Sequence, residues 1–332
     1  MATKTIKSSK PPKLPQLIDR KIYKTGQTRG SDDDEIFQNR VSRSSTVLVP
    51  LAHWNVCATP ADGSSDYASS AIVLISPSWY MKQADPEKEL KSQGLSLGVN
   101  AVIFYEDRKD WEILSPESKG WKPATSRTNP LGGQFVARIS ANTATTGGGK
   151  ISEGFNTTSM KGAGIRVYEY ASPQTIDACR IQLESIMWLC RDAEEKLVQM
   201  GMSHVEVALR KSWALDTARN SGLLELEKLM EQRIINSEGF ACCPLCLEEL
   251  SALGFGSRLV QAAGREVADL TVTEISLFHI RELRVGELGH KPYNLGWGHH
   301  HCNVVAKDSG IRETLTWLKE LVARNHAAGF EF

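Results

Sequence analysis

Short runs of β-branched and aromatic residues recur between residues 46 and 171, and most of them are bounded by Gly, Pro, Ser or Asn. Runs of this length and composition are typical of β-strands. The polar stretch after residue 143 contains three consecutive glycines but lacks the spacing of a phosphate-binding loop, so it indicates a surface loop and no nucleotide cofactor. The pattern predicts a mostly antiparallel sheet with strands at 46–49, 71–75, 101–105, 134–139 and 165–170.

The apolar spacing changes to a helical period over residues 173–236, which predicts two or three helices. Trp188 and Trp213 fall within this pattern, and at helical spacing they indicate core or dimer contacts more than stacking on bases. The second part of the pattern is leucine-rich. It consists of Leu223, Leu224, Leu226, Leu229, Met230 and Ile234. These residues are a candidate dimer surface, although packing within one chain would leave the same pattern.

Both ends of the chain carry patterns of their own. Lysines interleaved with Ser and Pro make residues 1–15 an arm that either lies on phosphates or stays solvated. An acidic run predicts a helix over 35–41, because carboxylates favour a helix N-terminus. Toward the other end, residues 268–280 predict a strand that ends near His279, and an amphipathic helix follows Asp308 and Ser309.

Length and composition set broad limits. A chain of 332 residues exceeds what one hydrophobic core usually supports, so two or three units are expected. With 41% hydrophobic and 23% charged residues, no apolar run of membrane-spanning length and no secretory signal pattern, we expect a cytoplasmic protein without a membrane partner. The formal net charge is zero, which argues against indiscriminate nucleic-acid binding and leaves specific binding open.

Two pairs of closely spaced residues predict a metal site. Cys243 and Cys246 form a CxxC pair, and His299 and Cys302 form an HxxC pair, so that a tight turn can aim each pair at one ion. Zinc is the natural occupant of such a set. Cys242 could replace Cys243, and only spacing selects His299 from the run that continues with His300 and His301. The total of seven cysteines is odd and favours reduced thiols; Cys57, Cys179 and Cys190 lack metal spacing and are expected to be buried.

The stretch from 240 to 310 resembles the HNH nucleases, the ββα-metal endonucleases, in the form braced by zinc knuckles. The rest of the chain, including residues 20–43 and the predicted sheet, more loosely resembles type II restriction endonucleases of the BstXI group. The positions that match the HNH pattern are Cys243, Cys246, His279, Ile280, Asn294, Leu295, His299, Cys302 and Asn303.

This resemblance implies a role in phosphodiester hydrolysis for each of three matching residues. His279 would take the proton from water, Asn294 would orient the loop and the histidine ring, and Asn303 would offer its oxygen to Mg²⁺. Zinc would be structural, because four protein ligands leave no open position. The chain departs from the family at Phe278, where an aspartate or sometimes a histidine often binds the catalytic metal; some members have a nonpolar residue there, and another carboxylate could replace it. The candidates are Glu282, Glu274 and Asp308.

Target selection requires further residues. Arginine suits guanine readout and phosphate contact, although solvated surface is the ordinary role of any one such residue. For His290, a loop residue and a phosphate contact are equal alternatives. Cleavage of both strands of double-stranded DNA implies a homodimer. The candidate DNA-binding residues are Arg258, Arg265, Arg20, Arg29 and His300, with Arg40 and Arg43 as further basic positions.

The sequence as a whole predicts an α+β protein with a β-rich recognition region, a helical middle layer and a zinc-braced HNH domain. The expected function is type II restriction with structural zinc and catalytic magnesium. The alternatives are a modification-dependent or homing-type HNH nuclease and a catalytically silent zinc-stabilised DNA-binding protein. The predicted parts are an arm and short helix at 1–45, a recognition domain at 46–171, a helical linker or dimerisation region at 172–238 and a nuclease domain at 239–332.

Overall fold

The computed structural model describes residues 10–29, 40–44, 46–57, 71–124, 132–137, 139, 165–257, 273–307 and 309–330. Within these residues, no helix has both the length and the apolar character that crossing a membrane requires. The strands are β1 Gln27–Arg29, β2 Arg40–Ser42, β3 Val47–Pro50, β4 Ala71–Ile75, β5 Ala101–Tyr105, β6 Phe135–Ala137, β7 Ile165–Arg166, β8 Ile275–His279 and β9 Leu295–His299. The helices are α1 Gln16–Lys24, α2 Trp54–Cys57, α3 Pro77–Lys82, α4 Pro86–Ser92, α5 Arg108–Ile113, α6 Pro173–Trp188, α7 Ala193–Gln199, α8 His204–Asn220, α9 Leu226–Glu231, α10 His300–Ala306 and α11 Ile311–Ala327.

The chain divides into two compact units. The sheet unit consists of Gly26–Pro173 together with Arg284–Gly289. The hairpin unit consists of Met1–Thr25, Gln174–Leu283 and His290–Phe332, and it contains the β8–β9 hairpin. Residues distant in sequence therefore share one core, because α1 belongs to the same unit as the C-terminal helices.

The main sheet of the sheet unit is parallel, and the predicted antiparallel arrangement is wrong. Its strand order is β6-β5-β4-β3-β7, and every neighbouring pair runs in the same direction. The reason lies in burial: Val47, Leu48 and Val49 are buried consecutively, as expected for strands covered on both faces, whereas a half-solvated antiparallel strand would alternate. Helices between successive strands, such as α5, provide the crossovers that parallel pairing needs.

The strands predicted at 46–49, 71–75, 101–105 and 134–139 are present with small shifts in their ends. The predicted strand at 165–170 is shorter than expected, because a 3-10 turn at Val167–Glu169 follows β7. The helix predicted at 35–41 is wrong in its last two residues, which begin β2 and pair with β1. Residues 35–39 and the glycine-rich loop lie outside the described part of the chain.

The hairpin unit has a continuous apolar core shared by helices α1 and α6 to α9 and by the hairpin. The region 173–236 forms four helices, one more than the upper prediction. Trp188 is buried in this core, whereas Trp213 is partly exposed with the Arg210 guanidinium 4.7 Å from its ring centre. The leucine-rich pattern is divided: Leu229 is buried, and Leu226 is exposed. The predicted closing helix is confirmed as α11.

Part of the predicted N-terminal arm is folded. Residues 1–9 lie outside the described chain, but Leu14 is buried in the core of the hairpin unit. The Arg210 guanidinium donates a hydrogen bond of 2.9 Å to the carbonyl of Pro12. The same guanidinium forms two short bonds to the Glu184 carboxylate, at 2.6 and 2.7 Å, so a largely buried ion pair fixes this part of the arm.

Candidate active site and metal centre

The candidate site is built on an antiparallel hairpin and one helix. In the β8–β9 register, Ile275 lies opposite His299 and His279 lies opposite Leu295, so the two histidines stand at opposite ends of the hairpin. At about 3.3 Å per residue, the ends are roughly 13 Å apart. The amide of His300 donates to the carbonyl of Glu274 at 2.7 Å, where α10 begins.

Helix α10 returns the chain along the hairpin. After its end at Ala306, the amide of Ile311 donates to the carbonyl of Ile280 at 2.9 Å, and Gly310 pairs with Arg281 in an isolated bridge. The helix therefore begins beside the start of β8 and leads back to the chain that follows His279. Two strands and a returning helix thus enclose the candidate residues.

Four side chains converge on one point of the hairpin unit. Ligand atoms of Cys243, Cys246, His299 and Cys302 all lie within 4.8 Å of one another. Cys246 Sγ is 3.4 Å from His299 Nδ1. Zinc–ligand bonds of about 2.3 Å to sulfur and about 2.0 Å to nitrogen place tetrahedral ligands roughly 3.5 to 3.8 Å apart. The spacing and the donor set of three thiols and one imidazole both fit zinc.

The electrostatics of this cluster favour a cation. Burial raises the pKa of Cys302 far above its ordinary value, and the nearby Cys243 and Cys246 raise it further. Burial likewise raises the pKa of Cys246. The pKa of His299 is lowered by burial and then by His301, which favours the neutral imidazole that binds metals. A divalent ion supplies the positive charge that crowded thiolates require.

The alternative ligands lie elsewhere. Cys242 Sγ donates to the carbonyl of Arg233 at 3.5 Å and is not in the cluster. The His301 ring stacks on His299 with 5.5 Å between ring centres. His300 is half-buried at the first position of α10. Geometry therefore selects Cys243 and His299, as spacing does.

His279 and Asn294 occupy neighbouring positions at one end of the hairpin. His279 is the last residue of β8, and Asn294 directly precedes β9. The side-chain oxygen of the buried Asn294 accepts from the amide of Arg281 at 2.8 Å, and its carbonyl accepts from the amide of Ile280 at 3.0 Å. Asn294 thus holds the backbone that follows His279.

Sequence reasoning missed the neighbours of His279. His279 Nε2 is 3.3 Å from Nδ1 of His290, and the Nε2 atom of His290 is 3.1 Å from the hydroxyl of Thr25. His290 lies in the loop between β8 and β9, which agrees with one of its two predicted alternatives, and its full burial argues against the other, a direct phosphate contact. Only the residue type of His290 gave a signal in the sequence. Thr25, 265 positions earlier in the chain, gave none.

The candidate magnesium ligands differ in position. Asn303 is half-buried on α10, and Glu282 is half-buried three residues after His279. Glu274 precedes β8, so it stands at the opposite end of the strand, roughly 16 Å along the backbone from His279. Asp308 lies outside the described residues.

Few of the candidate DNA-binding side chains fall within the described chain. Arg20 is exposed on α1. The backbone of Arg29 ends β1, and its side chain lies outside the description. Arg258 and Arg265 also lie outside it.

Comparison with known protein families shows to which family the chain belongs. A family model of the BstXI restriction endonuclease matches residues 20–300, which is most of the sequence. The chain belongs to the BstXI restriction endonuclease family. The predicted kinship with type II restriction endonucleases is thereby confirmed, and this endonuclease is a site-specific deoxyribonuclease that binds double-stranded DNA. Searches of curated proteins and of solved structures gave no match.

Proposed function

We propose that this restriction endonuclease hydrolyses DNA by HNH chemistry, with His279 as the general base. The observation that carries the proposal is the return of α10 along the β8–β9 hairpin, with His279 at the end of the first strand and Asn294 bracing the turn after it. That order of elements and residues is the one that the HNH resemblance implies.

Each residue has a role that follows from its chemistry. His279 accepts the proton of the attacking water, because an imidazole titrates near neutral pH. Asn294 fixes the Ile280–Arg281 backbone through its two acceptors, and so limits the movement of the histidine before it. Asn303 and a carboxylate would hold Mg²⁺, which would stabilise negative charge on the phosphate and on the leaving oxygen.

Glu282 is the proposed carboxylate among the described residues. Phe278 cannot provide a ligand, and Glu274 stands at the wrong end of β8. Asp308, the other carboxylate that the sequence suggests, lies outside the described residues and stays the second candidate. Glu282→Gln should raise the Mg²⁺ concentration required for cleavage, whereas Glu274→Gln should leave it unchanged.

The zinc site is proposed to be structural. Its four protein ligands would fill a tetrahedral zinc site, and the register separates His299 from His279 by the length of the hairpin. Cys243, Cys246, His299 and Cys302 would thus connect the CxxC turn to the start of α10 through the ion, away from His279.

The primary test is digestion of a long sequenced DNA in Mg²⁺ with the parent, His279→Ala and His204→Ala. His204 is an exposed histidine of the same unit and serves as the matched control. Discrete fragments from the parent and the control, and none from His279→Ala, are expected. Cleavage by His279→Ala at the parental rate would refute the mechanism. DNA binding without cleavage by the parent would favour a catalytically silent DNA-binding protein.

Target recognition is proposed to lie in the sheet unit together with the basic residues before it, and the active enzyme is proposed to be a homodimer. Two copies would supply one hydrolytic site for each DNA strand. Leu226 and Met230 leave apolar surface exposed on α9, which suits a contact between copies. Sedimentation equilibrium of the parent and of Leu226→Glu tests the dimer, and parallel digestion of methylated DNA tests dependence on modification.

A further inference from the structure

A chain of polar contacts leads from His279 into the core of the hairpin unit. The Nε2 atom of His279 is 3.3 Å from Nδ1 of His290, and the two ring centres are 5.5 Å apart at an angle of 59°. His290 has no solvent-exposed surface. A buried imidazole in this position contacts the candidate base directly and is shielded from competing water.

The second nitrogen of His290 is held by the end of a helix. Its Nε2 atom is 3.1 Å from the hydroxyl of Thr25, which is buried directly after α1. Four residues earlier, the Lys21 ammonium donates to the carbonyl of Ile275, at the first residue of β8. Helix α1 is therefore attached near both ends of β8, and Thr25 is fixed in place relative to His279.

The chemistry of neutral imidazole restricts the protons in this chain. Each neutral ring has one N–H donor and one acceptor nitrogen. If His290 Nε2 donates to Thr25, then His290 Nδ1 accepts from His279 Nε2–H, and the acceptor nitrogen of His279 is Nδ1. In the opposite arrangement, His290 Nδ1–H donates to His279 Nε2, and the proton of the neutral His279 ring is on its own Nδ1. Only the first arrangement leaves Nδ1 able to accept a proton.

We propose that His290, anchored by Thr25, is a positioning residue that fixes the ring orientation and the tautomer of His279. The proposal rests on the proposed role of His279 as the base. During hydrolysis, the water oxygen forms a bond to phosphorus, the bond from phosphorus to the leaving oxygen breaks, and that oxygen departs with the electron pair. The proton of the attacking water passes to Nδ1 of His279, while Nε2–H continues to donate to His290. The resulting imidazolium keeps its hydrogen bond to a neutral ring, and no proton moves to His290.

Two amide substitutions at His290 separate positioning from packing. Asparagine can place a polar atom near the former Nδ1, which contacts His279, whereas glutamine can place one near the former Nε2, which contacts Thr25. We expect His290→Gln to lower the single-turnover cleavage rate at saturating DNA by about 10- to 100-fold, a part of the roughly 10²- to 10⁴-fold contribution of a general base. His290→Asn should cleave at least about 3-fold faster than His290→Gln and no faster than the parent, and the Kd for DNA should not change.

A rate for His290→Asn that equals or falls below that of His290→Gln would overturn the proposal, because packing alone would then explain the loss. Thr25→Val keeps the shape of the side chain and removes the hydroxyl, so it serves if the His290 variants fail to fold. It should slow cleavage about 3- to 10-fold, and Thr25→Ser should restore the rate. Equal rates for Thr25→Val and the parent would also contradict the proposal.

A spectroscopic measurement tests the tautomer without relying on cleavage. In ¹⁵N-histidine-labelled protein, the resonances of His279 are identified by their loss in His279→Ala. We expect the Nε2–H tautomer in the parent and a mixture in His290→Gln; the Nδ1–H tautomer in the parent would refute the proposal. If His279→Ala cleaves normally, the HNH mechanism fails, but this measurement still determines whether His290 sets the tautomer.

Discussion

Gly298 is the position at which an added methyl group should most directly disturb both the hairpin core and the metal cluster. A Cβ atom on Gly298 would lie 2.7 Å from Cδ2 of Phe278 and 3.3 Å from Sγ of Cys243. Favourable carbon–carbon contacts lie at about 3.5 to 4.0 Å, so the contact with the ring is roughly 1 Å too short. Phe278 is fully buried and cannot move into solvent.

The magnitude follows from two opposing effects. Overpacking of a rigid core costs about 1 to 3 kcal/mol. Replacing Gly by Ala also removes freedom from the unfolded chain, which returns about 0.4 to 1 kcal/mol. We therefore expect Gly298→Ala to lower the free energy of unfolding of the hairpin unit by roughly 1 to 2 kcal/mol. At roughly 2 to 4 °C per kcal/mol for domains of this size class, Tm should fall by several degrees.

Gly296 provides a matched control on the same strand. A Cβ there would meet Ile234, Ile280 and Pro244 at 3.4 to 3.7 Å, which are ordinary contacts. Gly296→Ala should therefore leave Tm unchanged or raise it slightly. Calorimetry of both variants, with zinc content measured on the same samples, tests the reasoning. An equal Tm for the two variants, or a loss confined to Gly296→Ala, would refute it.

Three further predictions concern other parts of the fold. Arg210→Met should cost about 3 to 5 kcal/mol in urea unfolding because it leaves the buried Glu184 carboxylate uncompensated, and a loss below about 1 kcal/mol would contradict this. Gly286→Ala should lower the free energy of unfolding, measured by calorimetry, by about 1 to 2 kcal/mol because the φ angle of Gly286 is +85°. The added Cβ would also clash with the Val56 side chain, so Val56→Ala in the same chain should relieve only this steric part of the loss. Burial lowers the pKa of Lys21 to about 8, so the charged ammonium lowers the free energy of unfolding below pH 8, and this loss disappears above the ordinary Lys pKa. The free energy of unfolding of Lys21→Met minus that of the parent should therefore be larger at pH 7 than at pH 10. An equal difference at the two pH values would exclude the shift.

The spacing of residues in the sequence predicted those contacts that form between residues close together along the chain. The CxxC and HxxC pairs are each confined to one turn, so their geometry depends little on the rest of the fold, and the four ligands converge. The strands were predicted because β-branched runs are local signals. Strand direction was predicted wrongly, since it depends on whether helices cover both faces of the sheet, which the composition of each strand does not show by itself.

The His279 environment was unpredictable for a related reason. The Thr25 hydroxyl reaches His290 only because α1 packs in the core of a unit whose other elements begin 150 residues later. Residues 1–15 were predicted to form an arm because lysine, serine and proline are frequent in them. Leu14, Ile18 and Ile22 instead give α1 a buried face, and that face is what fixes Thr25.

The same reasoning explains the departure from the HNH pattern at Phe278. Consecutive side chains of a strand point to opposite faces. Phe278 points into the core, over Gly298 and toward Cys243, so the adjacent His279 points to the other face. A carboxylate at position 278 would lie on the face of the hairpin that Gly298 and Cys243 share, and not on the face of His279. The apolar ring instead lies over Gly298 of β9, and Glu282, the carboxylate proposed above, lies in the chain that follows β8.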